Sequence, residues 1–247
     1  MQGYIDIHTH ILPGFDDGSK SEEESLAIIE HMKGKGFSHV VCTPHLISGM
    51  YNHSMEKIEQ GTRRLSDAVR ARGLEVDLYW AAENYLDDAF FDLLETGKAI
   101  TYGTGNKHIL VEMPFLKIPD YLEELTFRMM LKRFKPIVAH PERYSDIVKR
   151  PKRIRDLVNV GYQVQINLGS LGDLYGRSVR RTAEKLLGMG VVDYVASDIH
   201  SAGHLEPVFE DGLNRLFKVA GQSEAVRILT ENPARMLGLS TESEGSK

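Results

Sequence analysis

Five of the ten histidines, His8, His10, His45, His140 and His200, stand beside carboxylates or directly behind short apolar runs. His8 and His10 close the run Tyr4-Ile5-Asp6-Ile7, and Asp16 and Asp17 follow within seven residues. His45 comes after Cys42-Thr43-Pro44, Glu83 after Ala81-Ala82, Glu112 after Leu110-Val111 and His140 after Val138-Ala139, while Asp198 and His200 sit behind Val195-Ala196-Ser197. Imidazole nitrogens and carboxylate oxygens are the ligand set of borderline and hard divalent cations. Carboxylates can bridge two ions, so this inventory is the chemistry of a site with more than one metal. The single cysteine, Cys42, rules out a cysteine-ligated zinc knuckle. Asp16-Asp17-Gly18 is also ordinary turn composition; of the pair, Asp17 is favoured as the ligand.

The elements that must position these groups alternate along the chain. Strand patterns at Tyr4–His8, His39–Cys42, Val76–Ala81, Ile109–Val111, Pro136–Ala139, Gln163–Ile166 and Asp193–Ala196 alternate with helical patterns at Ser21–Lys35, Ser54–Arg72, Asp87–Glu95, Tyr121–Arg133, Lys152–Val160, Ser178–Met189 and Pro207–Val219. Ser21 and Glu24 have capping-box spacing, and Gly34 and Gly36 stop that helix. Near the end, Asn232 reads as an N-cap, Pro233 as the first helical residue and Gly238 as the stop.

Strand-then-helix repeats argue for a parallel sheet, and no glycine fingerprint of a dinucleotide fold follows the first strand. The expectation is an α/β fold, a closed or nearly closed (β/α) barrel of seven units in preference to a doubly wound open sheet, with residues 1–238 as one catalytic domain and 239–247 as a flexible polar tail. Six of the seven strands end in imidazole or carboxylate, and in such barrels the C-terminal rim carries the active site. One strand-end histidine is usually a cap or a core residue; the matching positions of the whole set are what make a site. His31, His39, His53 and His108 fall inside or before elements and read as structural, whereas His204 lies near the rim as a substrate contact or a plain loop residue.

The chain has 247 residues, 42% hydrophobic and 26% charged, with net charge -5, enough to bury a core without staples. The charge gives no global field for nucleic acid. No apolar signal core or membrane-length run is visible, so a cytoplasmic protein without membrane insertion is expected. Nothing indicates the oligomeric state.

The ordered set His8-Thr9-His10, Asp17, Thr43-Pro44-His45, Glu83, Glu112, His140-Pro141-Glu142-Arg143 and Asp198-Ile199-His200 resembles the motifs of the PHP (polymerase and histidinol phosphatase) superfamily. More narrowly, Ile5–Pro13, Asp16-Asp17-Gly18 and His140–Tyr144 are similar to the bacterial CpsB/YwqE-type protein-tyrosine phosphatases, and the likeness runs from Tyr4 to Gly238. That resemblance implies a distorted seven-stranded (β/α) barrel holding up to three divalent metals, usually Mn2+, with Fe or Zn also suited. It implies one site from His8, His10, Glu83 and Asp198, a second from Glu83, Glu112 and His140, and a third from Asp17, His45 and His200.

It further implies hydrolysis of phosphotyrosine in protein, with Arg143 on the phosphate and Asp198 or His200 assisting the leaving oxygen. The implied partner is the phosphorylated tyrosine-rich tail of a bacterial tyrosine autokinase that governs capsule or exopolysaccharide synthesis. Arg143 has a plainer alternative, a surface salt bridge to Glu142 or Asp146. Two departures from the family pattern concern substrate preference: no second arginine follows His200, where only His204 could substitute, and Asn84 follows Glu83. A cysteine-dependent mechanism is excluded, since Ser48 stands where Cys-x5-Arg would need arginine. The rival readings are a histidinol phosphatase or other small-molecule phosphatase, a metal-dependent amidohydrolase or phosphodiesterase, and a catalytically silent metal-binding scaffold.

Overall fold

The structure, a computed structural model, describes residues 3–239. Nine strand segments pair in parallel: β1 (Tyr4–Thr9), β2 (Phe37–Cys42), β3 (His45–Leu46), β4 (Asp77–Trp80), β5 (Glu83–Tyr85), β6 (His108–Glu112), β7 (Lys135–Ala139), β8 (Gln163–Asn167) and β9 (Tyr194–Ala196). They form a three-stranded sheet, β1-β2-β4, and a six-stranded sheet, β3-β5-β6-β7-β8-β9. The strand pairing therefore does not close the seven-stranded ring expected from the sequence. Pro44, between β2 and β3, has no N–H to give a ladder, and Ala81-Ala82 separates β4 from β5. Single hydrogen bonds carry the chain across these gaps, from Ala81 N to Cys42 O at 2.9 Å and from Glu83 N to Pro44 O at 3.2 Å. At the far edges, His10 N donates to Ile199 O at 3.0 Å and Asp198 N to His8 O at 2.9 Å.

Helices cover the sheets because their apolar faces require it. The helix Glu22–Gly34 buries Leu26, Ile28, Ile29 and Met32, and Ser21 caps it by accepting from Glu24 N, as the spacing predicted. A second buried layer, including Ile5, Ile7, Val41, Leu110, Ile137 and Tyr194, packs with Ala234 and Met236 of the last helix. Each such side chain contributes about 1.5–3 kcal/mol on leaving water.

The last helix departs from its expected start. Gln222–Val226 runs without a break through a π-helical stretch, Arg227–Glu231, into Asn232–Leu237, so Asn232 lies within a helix and is not its N-cap. The wide turn accommodates Pro233, which lacks an N–H, and Asn232 Nδ2 instead donates to Asp193 O at 2.8 Å. Gly238 does stop the helix, at φ 71°. Of the expected tail 239–247, Leu239 N donates to Ala234 O at 2.9 Å, and 240–247 lie outside the described residues.

Candidate metal centre

All nine proposed ligands converge in one cluster, His8 within β1, His45 and Glu83 as the first residues of β3 and β5, and Glu112 as the last of β6. His8 ends up there because β1 delivers it; His140 and Asp198 are turned inward by left-handed backbone, at φ 35° and 54°. Such backbone costs a non-glycine residue about 1–2 kcal/mol, a strain characteristic of functional positions. Four overlapping groups bring ligand atoms within 4.8 Å of one another: His10, Asp17, His45 and His200; His8, His10 and Asp198; His8, Glu83 and His140; and His45, Glu83 and Glu112. Glu83 lies at the middle. Its Oε1 is 3.0 Å from His140 Nε2 and 3.4 Å from His8 Nε2, and its Oε2 is 2.8 Å from His45 Nδ1.

Outer partners fix which nitrogen His8, His10 and His200 present. Asp198 can only accept, so the 2.6 Å contact to its Oδ2 must come from the Asn167 amide. That orients Asn167 Oδ1 to accept from Gln165 Nε2 at 2.8 Å, and Gln165 Oε1 in turn to accept from His8 Nδ1 at 2.9 Å. His8 is left with Nε2 facing the cluster. His10 Nδ1 donates to Asp16 Oδ2 at 2.7 Å and His200 Nδ1 to the Asp198 carbonyl at 2.9 Å, with the same result. An imidazole whose outer nitrogen is tied to an acceptor is the usual arrangement of a metal-ligating histidine.

The groups of the cluster shift one another's charge strongly. Burial pushes the Glu83 and Asp198 carboxyls up, but the facing imidazoles, His8 foremost, win and hold both well below the ordinary range. Burial, followed by the nearby Glu83 and Asp198 charges, drives Glu112 well above it. Burial works against the charged form of His10, yet Asp16 raises it; burial and then His10 lower His200 to about 4. Glu83 Oε2, Asp198 Oδ1 and His45 Nδ1 are buried and make no hydrogen bond. Glu83 Oε2 and His45 Nδ1 lie 2.8 Å apart but are not aligned for one. Divalent cations fit this donor set.

The aspartate pair divides its work. Asp16 is buried and, besides His10, accepts from His45 N at 2.9 Å and Gly18 N at 2.9 Å. Asp17 is exposed and faces His45 Nε2 at 3.5 Å and His200 Nε2 at 3.6 Å. Gly18 permits the turn, because a Cβ there would run into the His10 carbonyl.

Arg143 lies at the mouth of the site, a cavity of about 730 Å³ also lined by Asp198, His200, Tyr51, Tyr85, Phe115 and Tyr175. Its Nη1 donates to Asp198 Oδ2 at 3.1 Å, and its guanidinium stacks between Phe115 at 4.8 Å and Tyr175 at 4.1 Å. The surface salt bridge weighed above is absent: Asp146 pairs with Arg153 at 3.1 Å, and buried Glu142 accepts from Asn167 N and Ser170 Oγ. Asn84 turns out to be a staple, donating to the carbonyls of Ala82, Ile100 and Leu110 away from the ligands. His204 lines the mouth, while His31 and His39 face Glu210 and Asp77 at 3.6 and 3.8 Å, and His53 and His108 hydrogen-bond to Phe15 O and to Asn106. Gln165 and Asn167, which fix His8 and Asp198, have no counterpart in the sequence reading: the sixth strand carries amides where the others carry ligands.

The family profile for capsular polysaccharide synthesis, CpsB/CapC, matches residues 4–238. The chain belongs to the CpsB/CapC family. The tyrosine-protein phosphatase YwqE of Bacillus subtilis is 30% identical over 94% of this chain and 91% of its own length. The tyrosine-protein phosphatase CpsB of Streptococcus pneumoniae is 26% identical over 94% of this chain and 98% of its own. Crystal structures of YwqE and CpsB, described as metal-dependent tyrosine phosphatases, include one that superposes with a TM-score of 0.87 at 28% identity, covering 96% of this chain and 95% of that one. A phosphotriesterase homology protein from Escherichia coli shares the fold alone, at TM-score 0.63 and 12% identity. As a CpsB/CapC protein the chain has an α/β fold with parallel sheets, and no helix among the described residues is long and apolar enough to cross a membrane.

Proposed function

We propose that this chain is a metal-dependent phosphatase that hydrolyses phosphotyrosine in protein. The observation that carries the reading is the convergence of His8, His10, Asp17, His45, Glu83, Glu112, His140, Asp198 and His200 beneath a mouth holding one oriented arginine. These nine side chains would hold up to three divalent ions, Mn2+ first among them, with Glu83 shared. When bound, such ions lower the pKa of water and stabilise charge on phosphoryl oxygens.

The protein's own residues do the positioning. Arg143 offers a planar fork to the phosphate oxygens, held ready by its two stacking rings. Asn167 and Arg143 both donate to Asp198 Oδ2 and hold that carboxylate still, while, against the cost of burial, the imidazoles facing it, His8 first, keep it ionised. Asp198 and His200 line the mouth beside Arg143 and complete the catalytic set. A departing phenolate, with a pKa of about 10 for the free phenol, needs less protonation than an alkoxide. Buried Cys42, its thiol pushed up to about 12 by burial, takes no part.

The two sheets are read as one distorted seven-stranded barrel interrupted at Pro44 and at Ala81-Ala82, in a single domain over residues 1–238. The family's link to capsular polysaccharide synthesis supports a cytoplasmic role on the phosphorylated tyrosine-rich tail of a bacterial tyrosine autokinase. The test is phosphate release, after chelation and manganese repletion, from a phosphotyrosine peptide and from histidinol phosphate side by side. Metal-dependent preference for the peptide is expected; preference for histidinol phosphate would move the protein into small-molecule metabolism.

A further inference from the structure

We infer that Tyr51 and Phe115 are the two walls of an aryl slot that selects phosphate esters of aromatic alcohols, an inference that rests on the phosphatase reading and names the residues behind its preference. The Tyr51 ring stacks on His45, with centroids 5.9 Å apart and planes at 14°, and the Phe115 ring stacks on His140 at 5.7 Å and 11°. Those two imidazoles approach Glu83 through its two different oxygens, His45 at Oε2 and His140 at Oε1. The rings therefore flank the middle of the cluster, and both line the one mouth.

Neither ring is spent on the core, since Phe115 is 37% exposed and Tyr51 is half-buried. Both are nonetheless fixed. Tyr51 exchanges two backbone hydrogen bonds with Ile47, at 3.1 and 2.9 Å, two residues past His45. Phe115 O accepts from Ser145 N at 2.8 Å, and its ring meets buried Tyr144 edge-on at 5.8 Å. Walls fixed before the substrate arrives add little ordering cost on binding. An aryl phosphate carries a flat apolar ring directly outside its phosphoryl group, where stacked or edge contacts with such walls are favourable. A seryl phosphate places only a short aliphatic stem there.

The test compares kcat/KM of the manganese-loaded protein on matched phosphotyrosine and phosphoserine peptides, in the parent, Tyr51→Leu, Phe115→Leu and Tyr51→Phe. Intrinsic reactivity of each ester is the same throughout, and loss of the Phe115 face against Arg143 falls on both esters alike, so the change in ratio reports the slot. The ratio is expected to fall about three- to tenfold in each leucine variant, the scale of one aromatic pair, mainly through KM, and to recover in Tyr51→Phe. Inhibition of Tyr51→Leu by inorganic phosphate, which has no ring, stays at the parent's level. A ratio unchanged in either leucine variant overturns the two-walled slot and leaves the phosphatase reading standing. A parent that hydrolyses neither peptide overturns both.

Discussion

The Asp16 carboxylate holds His10 Nδ1 at 2.7 Å and accepts from the backbone N of His45 and of Gly18, each at 2.9 Å, so its influence on the proposed metal centre runs through one imidazole and the backbone that carries another. Outer partners of this kind are worth about 10- to 100-fold in metal affinity. Asp16→Asn is expected to weaken manganese binding on that scale while the fold survives. Asp17→Asn, at an exposed position facing His45 and His200, should remove one ion and leave the others. Metal counts on dialysed protein check both; equal loss of every ion in Asp17→Asn would refute the division of labour.

Arg143 combines a charge, a fork and two stacking faces, and lysine keeps only the charge. Arg143→Lys should lower kcat/KM by about 10- to 100-fold, the cost of lost charge-assisted hydrogen bonds, with metal content intact. Steady-state kinetics alongside metal analysis reads both numbers. Parent-level kinetics would place the phosphate elsewhere.

Cys42 is fully buried in β2. Cys42→Ser should keep the turnover of the parent when loaded with manganese, at a stability cost of about 1–3 kcal/mol for a buried hydroxyl. Loss of turnover with full metal content would revive a thiol mechanism.

His108 gives the metal-free protein a pH dependence of its own. Burial, then the Lys135 charge, lowers its pKa to about 4 from an ordinary 6.5. The unfolded chain therefore binds the proton first as pH falls. The stabilisation is complete above pH 6.5 and is lost as pH drops through 4, on the order of 2 kcal/mol after allowing for partial exposure. In chelator, denaturant unfolding of parent and His108→Asn from pH 7.5 to 4.5 should show the parent losing that much more; parallel curves would contradict it.

Most of the site was legible because every proposed ligand carries a metal-binding group and all but Asp17, which stands in a turn, close or follow an apolar run, where residue type and periodicity speak together. What lay hidden was relational. Gln165 and Asn167 act by passing orientation from Asp198 to His8, and a strand-end amide has no chemistry that marks it in advance. Asp16 and Asp17 are neighbours of one type, separated in role only by the turn at Gly18. Helix order was readable from apolar spacing, but the sheet division follows from Pro44 and from a hydrogen-bond register that periodicity does not encode. Likewise the Asn-Pro pair before the last helix has the composition of a start, and the preceding π turn made it an interior.

The central claim is that ions held around Glu83 drive phosphotyrosine hydrolysis. It is tested most directly by adding manganese back to chelated protein while counting bound ions and measuring phosphate release from a phosphotyrosine peptide, in the parent and in Glu83→Ala. The account predicts no turnover before repletion, a rise that follows occupancy in the parent, and joint loss of ions and turnover in Glu83→Ala. Full turnover by the metal-free parent, or by Glu83→Ala with its ions missing, would contradict it.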